Sequence, residues 1–297
     1  MNQLHKYIPS WSDIFCGYDN WVEVISDGIL RDTRQNFGEG QRSELEMRES
    51  VAKPFIGEPE QAVREATRHH SYGVMRRKAY KVLKSLSFHQ REKDYLLVDI
   101  GCGFGWHWAD LAKEFPLIRF LLIDFSMANL LVSRSLMPFN DYPNVLCLQS
   151  DIVDIPIQHQ SSDFCWSVQV LQHLQPVKRI AAFREILRIQ KSGAGFYIAW
   201  LRSVTFLKFI YSILGKDYHL KGDIKGGRMY LQRFDEEIKS EMRNIFTNYY
   251  LKYSETLFHP ELKLMPYNSW IDYADIILGE TFMAPLFARQ VEIWGRC

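Results

Sequence analysis

The sequence predicts an α/β fold, a sheet with helices on both faces, from three observations. The first is Tyr95–Phe115, YLLVDIGCGFGWHWADLAKEF, which reads as a strand, a glycine turn and a helix. Leu96–Ile100 is long enough for one buried strand, and Gly101, Gly103 and Gly105 then interrupt the chain at alternate positions. Trp108, Leu111, Ala112 and Phe115 follow at i, i+3, i+4 and i+7, the apolar stripe of a helix that packs back on the sheet. The second is a further buried-strand run, Ile118–Ile123, that ends on Asp124. The third is the recurrence of such runs at Val145–Leu148 and Cys165–Val170, followed by a helical pattern through Ile180, Phe183, Ile186 and Leu187.

Taken in order, residues 1–60 are rich in aromatic and polar residues, among them Tyr7, Trp11, Phe15, Tyr18 and Trp21. That content argues against a disordered tail. Trp21–Ile29 reads as a helix turn and Arg42–Ser50 as a charged run, so the segment is expected to be a helical extension that covers the domain after it and closes over its pocket. Residues 61–297 are expected to form that domain. Met75, Ala79, Val82, Leu83 and Leu86 fall on one helix face, ahead of which stands HHSYGVMRR, His69–Arg77. Adjacent His69 and His70 cannot share a helix face, which disfavours a metal pair, and no metal is expected elsewhere. Past Trp200, Leu201–Leu231 is long for a loop and carries Phe206, Phe209, Tyr211 and Tyr218, which makes it an expected cover of the binding site. Asp235–Phe246 reads as a helix, NYYLKYSETLF and RQVEIWGR as strands, and Pro266, Tyr267, Trp270 and Tyr273 as a further wall of the pocket.

The glycines carry the chemistry of the first turn. They permit positive φ and let a ligand approach the main chain where a Cβ would stand in the way. The amino terminus of the following helix is expected to add unpaired N–H donors beside them. A dinucleotide fingerprint places its third glycine three residues after the second; here that residue is Trp106, which ranks a nicotinamide dehydrogenase last. Asp124 follows the turn by about 20 residues, the spacing at which an acid at the end of the second strand holds a ribose. A carboxylate accepts from both vicinal hydroxyls through charge-assisted bonds.

The order Asp99, Ile100, Gly101, Cys102, Gly103, Phe104, Gly105, then Asp124 with Phe125, Ser126 and Leu130, then Asp151 with Ile152, resembles the class I S-adenosylmethionine-dependent methyltransferases. The resemblance runs from Leu96 to Cys297 outside the insertion. It implies a Rossmann-like sheet of seven strands with helices on both faces and the last hairpin antiparallel. It also implies S-adenosyl-L-methionine as cofactor and S-adenosyl-L-homocysteine as product. By the same resemblance Asp99, Gly101, Cys102, Gly103 and Gly105 form the first cofactor motif. Asp124 and Phe125 take the ribose side, and Asp151 and Ile152 take the adenine. Tyr72, Arg76 or Arg77 line the methionine end; a solvated basic helix face is the competing reading of that stretch. Ser150, Ser192 and Ala194 stand where the family has a glycine, a proline and a glycine.

At the end of the Cys165–Val170 run, Gln169, Gln172 and His173 occupy the position where open α/β sheets bind ligands. His173 is the candidate base for an acceptor hydroxyl, because an imidazole titrates near neutrality. The NPPY-like tetrapeptide of amide and base-amino methyltransferases is missing from SVQV, and no proline-cysteine nucleophile is present. O-methylation of a small molecule is therefore the preferred reaction. The alternatives are an RNA-modifying methyltransferase, faintly suggested by RMYLQRFDEEI, and a catalytically silent cofactor-binding interaction protein.

Composition sets the frame. The chain has 297 residues, 47% hydrophobic and 24% charged, with a net charge of +1 that gives a nucleic-acid partner no support. Cys16, Cys102, Cys147, Cys165 and Cys297 form no CxxC pair. Free thiols in a reducing cytoplasm are expected. MNQLHKYIPSWSD has no apolar core of a signal peptide, and Val204–Leu214 is too short to span a bilayer and is broken by Lys208, so no membrane association is expected.

Overall fold

The computed structural model describes residues 11–35, 39–68, 71–89, 95–256 and 269–297. The elements, in chain order, are β1 (Val22–Ser26), β2 (Ile29–Asp32), α1 (Glu39–Ala52), α2 (Pro59–Arg68), α3 (Ser71–His89), β3 (Tyr95–Ile100), α4 (Leu111–Glu114), β4 (Ile118–Asp124), α5 (Met127–Leu136), β5 (Val145–Gln149), β6 (Ser162–Val168) and α6 (Pro176–Ile189). They continue with β7 (Gln190–Leu201), α7 (Thr205–Ile213), β8 (Lys221–Ile224), β9 (Met229–Gln232), α8 (Glu236–Arg243), β10 (Asn248–Ser254), α9 (Ser269–Gly279), α10 (Ala284–Phe287) and β11 (Gln290–Arg296). The chain forms two compact units, one of Met1–Trp166 with Ala181–Ala194, the other of Ser167–Ile180 with Gly195–Cys297.

In the first unit the strand order is β1-β2-β5-β4-β3-β6. β2 with β5, β5 with β4, β4 with β3 and β3 with β6 are all parallel, and only β1 runs antiparallel to its neighbour. The apolar runs of the sequence become the central strands because both of their faces are covered. Leu96 to Ile100, Phe120 to Asp124 and Val145 to Gln149 are buried at every position. Each such Leu, Ile or Phe contributes about 1.5–3 kcal/mol by leaving water.

Two expectations are corrected here. Trp21–Ile29 forms no helix turn; it is the start of a hairpin whose connection is Asp27-Gly28, with Gly28 at φ +72. An Asp-Gly pair between alternating strands supplies the positive φ that a tight hairpin demands. Arg134 fastens the hairpin by donating from Nη2 to the Gly28 and Val145 carbonyls, both at 2.9 Å. Counting β7, β11 and β10, the main sheet therefore holds nine strands among the described residues where seven were expected, and the surplus is β1 and β2.

The second correction concerns the helix after the glycine turn. It is confined to Leu111–Glu114, and Trp106–Asp110 are turns closed by Trp108 N to Gly105 O at 3.0 Å and Leu111 N to Ala109 O at 2.8 Å. Asp110, immediately before the helix, has φ +66 and its side chain makes no capping hydrogen bond. Bulky rings at 106, 107 and 108 seek burial at once, and the backbone follows them rather than the helical period. The unpaired N–H groups of a helix amino terminus are therefore not delivered directly behind the glycines.

α1 and α2 pack on α5, with Ala52, Ala62, Ala128 and Val132 as a buried contact of small side chains. Met75, Ala79, Val82 and Leu83 are buried along α3, as the apolar spacing predicts. Tyr7, His69, His70, Pro266 and Tyr267 lie outside the described residues, as does the side chain of Tyr72.

In the second unit β11 lies between β7 and β10, antiparallel to both, from Gln290↔Leu201 to Arg296↔Gly195 on one side and Asn248↔Arg296 to Ser254↔Gln290 on the other. This is the antiparallel last hairpin the resemblance implies. The insertion at 201–231 is ordered secondary structure, α7 followed by the hairpin β8–β9. Trp270 and Tyr273 are exposed on α9. Arg179, fully buried at the start of α6, holds this unit together. Its guanidinium donates twice to Glu241 at 2.7 Å and once to Gln232 Oε1 at 2.8 Å. Among the described residues no helix is long and apolar enough to cross a membrane.

Candidate active site

β3 and β4 end side by side, with Ile100 paired to Ile123 and Asp99 to Leu122. The chain leaves β3 through Gly101, Gly103 and Gly105, all at positive φ (72°, 55° and 63°). The glycines do different work. A Cβ on Gly105 would lie 3.0 Å from Leu122, Met137 and Ser133, so this residue is pressed into the core. A Cβ on Gly103 would meet nothing within 4 Å, so the space beside it is open. Gly103 N donates to Asp124 Oδ2 at 2.9 Å, which ties the turn to the end of the neighbouring strand.

Asp124 is 4% exposed and well supplied with donors. Its Oδ1 accepts from Ser126 N at 2.9 Å and Asn129 Nδ2 at 3.1 Å. A carboxylate oxygen has two acceptor positions. Oδ1 is therefore filled, and Oδ2 keeps one position beside the Gly103 amide, room for one hydroxyl rather than two. Burial pushes the carboxyl up; the amides of Ser126, Gly103 and Asn129 and the positive charge of Arg48 oppose it.

Asp99 sits beneath the turn, 1% exposed, accepting from Trp108 Nε1 at 2.7 Å. Burial, with the nearby Asp124 charge, raises it to about 8 against the Trp108 hydrogen bond. Cys102 is likewise buried, and burial lifts its thiol well above the ordinary range. Both support the turn from the inside. Phe125 is half-buried after Asp124, and Gln149 Nε2 donates to its carbonyl at 3.1 Å. Asp151 is half-buried beyond the end of β5, with the buried Ile152 beside it.

Sequence reasoning missed the contributions from α1. Gln41 Nε2 donates to Asp151 Oδ2 at 2.9 Å. Glu49 Oε1 accepts from Ser126 Oγ at 2.9 Å and Ala128 N at 3.0 Å, at the amino terminus of α5. One helix of the amino-terminal segment thus touches Asp151 at one end and the loop after Asp124 at the other. Arg76 is on α3 and pairs with the exposed Asp110 at 3.3 Å.

A further missed residue is His107. It is 5% exposed, with its ring on Trp106 at 3.8 Å between centroids and edge-on to Trp166 at 5.8 Å. Among the described residues neither ring nitrogen has a hydrogen-bond partner, and burial pushes its pKa down to about 3.

In the second unit Gln169 takes φ +57, with its Nε2 donating to Gln290 Oε1 at 3.0 Å. His173 closes a short 3-10 turn, Leu171–His173, against β9. Its Nδ1 is 2.8 Å from the Tyr230 carbonyl oxygen, which only accepts, so Nδ1 carries the proton and Nε2 the lone pair. Gln172, 3% exposed, donates from Nε2 to His173 Nε2 at 3.3 Å, and its Oε1 accepts from Leu201 N at 3.1 Å.

Residues 98–198 match a family model described as a methyltransferase domain. With the glycine turn, this match marks residues 98–198 as a methyltransferase domain of the class I, Rossmann-like kind that uses S-adenosylmethionine. No curated protein matches the chain. Solved structures resemble it at low identity. An S-adenosylmethionine-dependent methyltransferase of Thermotoga maritima is 17% identical, with 78% of this chain and 96% of that one covered at a TM-score of 0.47. Phosphoethanolamine N-methyltransferase 2 of Haemonchus contortus is 16% identical, covering 74% of this chain and 52% of that one, about half its length, at 0.46. Geranyl diphosphate C-methyltransferase of Streptomyces coelicolor A3(2) is 16% identical, covering 73% and 75%, at 0.43.

Proposed function

We propose that the enzyme methylates a hydroxyl oxygen of a small molecule, with His173 as the base. The residues of the first unit fit the cofactor. Gly103 leaves open space where a Cβ would stand, and Asp124 Oδ2 retains an acceptor position for a ribose hydroxyl. Asp151 and Ile152 take the adenine, while Asp99, Gly101, Cys102 and Gly105 shape the turn. In this reading α1, tied to Asp151 through Gln41, is the cover of this end. Tyr72, Arg76 and Gln169 are assigned to the remaining cofactor contacts. Bound S-adenosylmethionine supplies a methyl group on a cationic sulfur, open to in-line displacement.

What the chain supplies is orientation and a proton acceptor. The observation that supports the oxygen acceptor is the Tyr230 carbonyl against His173 Nδ1, which makes Nε2 the basic nitrogen; Gln172 Nε2, which donates to it at 3.3 Å, gives way to the acceptor hydroxyl in this reading. An alcohol or phenol needs such a base, because its proton must leave as the oxygen attacks. The insertion that provides Tyr230 is the acceptor-site cover in this reading. The near-neutral charge favours a small acceptor over RNA, and five cysteines outside any disulfide accord with a reducing cytoplasm.

Calorimetry with S-adenosylmethionine and S-adenosylhomocysteine, followed by a screen of alcohols, phenols, amines and RNA with mass-spectrometric readout, tests the proposal. Asp124→Ala is expected to weaken both cofactor ligands. His173→Ala is expected to lower kcat on a hydroxyl acceptor by about 10²–10⁴ without changing cofactor affinity. Turnover of amines or RNA alone would sink the oxygen reading.

A further inference from the structure

The unpartnered imidazole of His107 stands two residues beyond the glycine turn. In folded proteins a buried polar group without a partner is rare, and its usual explanation is a water, ion or ligand that completes it. None of the rings around it makes a hydrogen bond to it. Trp106 covers one face at 3.8 Å, Trp108 and Trp166 meet the imidazole edge to face at 6.3 and 5.8 Å, and Trp108 has already given its N–H to Asp99. A leucine would fill this aromatic box without any desolvation penalty, so stability alone does not account for a histidine. Trp106, the ring against which His107 lies, is only half-buried, which places the imidazole one ring's depth from solvent, next to the turn that carries Gly103 and Gly105.

We propose that His107 is a cofactor-binding residue, giving a ring nitrogen to the amino-acid end of bound S-adenosylmethionine; this rests on the cofactor reading above. Ribose and adenine already have their acids, Asp124 and Asp151, which lie at or beyond the ends of the neighbouring strands β4 and β5. The ammonium and carboxylate of the methionine portion remain, and a neutral imidazole matches either one, with a lone pair for the first or an N–H for the second.

The test compares His107→Leu with the wild type, using S-adenosylhomocysteine and 5′-methylthioadenosine, which lacks the amino-acid end. The expected result is that His107→Leu melts higher than the wild type without ligand, binds S-adenosylhomocysteine about tenfold more weakly, and binds methylthioadenosine as before. Ring ¹⁵N shifts of His107 in the wild type should move on addition of S-adenosylhomocysteine and stay still on addition of methylthioadenosine, a readout that needs no variant. Unchanged affinity of His107→Leu, or equal loss for both ligands, would overturn the proposal, as would ring shifts indifferent to S-adenosylhomocysteine, the signature of a trapped water. A wild type that binds neither S-adenosylmethionine nor S-adenosylhomocysteine would instead remove the cofactor reading itself.

Discussion

Asp99 and His107 are both fully enclosed beside the glycine turn, and burial drives them to their neutral forms from opposite directions. Asp99 is raised from an ordinary 3.8 to about 8, so its contribution to stability is complete below pH 4 and is lost as pH rises towards 8. His107 is lowered from 6.5 to about 3, so its contribution is complete above pH 6.5 and is lost as pH falls towards 3. Between these limits the two slopes oppose each other. Unfolding midpoints in denaturant across pH 4–9 should therefore be flat at mildly acid pH and fall above neutrality. In Asp99→Asn, which keeps an oxygen for Trp108 Nε1, the alkaline fall should shrink. Asp99 was legible in the sequence as the acid of the first motif, but its inward role was not, because the bond to Trp108 depends on a helix that fails to start where its apolar stripe says it should. His107 was hidden for the same reason: next to the first residue of that stripe, it reads as one more position on a helix.

Among the elements, the parallel strands were readable because each is a short apolar run bounded by breakers, and burial on both faces leaves such a run few alternatives. The hairpin β1–β2 was signalled by Asp27-Gly28, a local feature that the neighbouring aromatics obscured. The docking of α1 was beyond reach, since Gln41 and Glu49 find their partners at Asp151 and Ser126, far along the chain. Glu49 acts as an acceptor at the amino terminus of α5, beside the cap Ser126, whose Oγ receives Asn129 N at 3.2 Å. Glu49→Ala strips an acceptor from Ser126 Oγ and Ala128 N and is expected to lower stability by about 1–2 kcal/mol, measured by urea unfolding. Glu49→Gln, which keeps a carbonyl oxygen, should lose less. Faster amide exchange along α1 in Glu49→Ala would confirm that the loss is in docking.

For the molecule as a whole, the path of the chain through its two units matters more than any single contact. That path leaves the first unit after Trp166, returns for Ala181–Ala194, and leaves again at Gly195. In the second unit β11 is the central strand of three, and it is built from Gln290–Arg296, the last of the three to appear along the chain. Deleting Gln290–Arg296 removes the hydrogen-bonding partner of β7 and β10 together, which leaves two open strand edges. Such a protein is expected to express as aggregate, scored by the soluble fraction after lysis.

The same arrangement sets a timetable for synthesis. As the chain emerges from a ribosome, Ser167–Ile180 appears before the first unit has received Ala181–Ala194, and β7 then waits beside an absent neighbour while α7 to α10 are made. Emergence of Gln290–Arg296, rather than of any earlier segment, is therefore the event that lets the second unit close its sheet, and a nascent chain stalled short of Gln290 presents its unpaired strands to whatever chaperone is at hand.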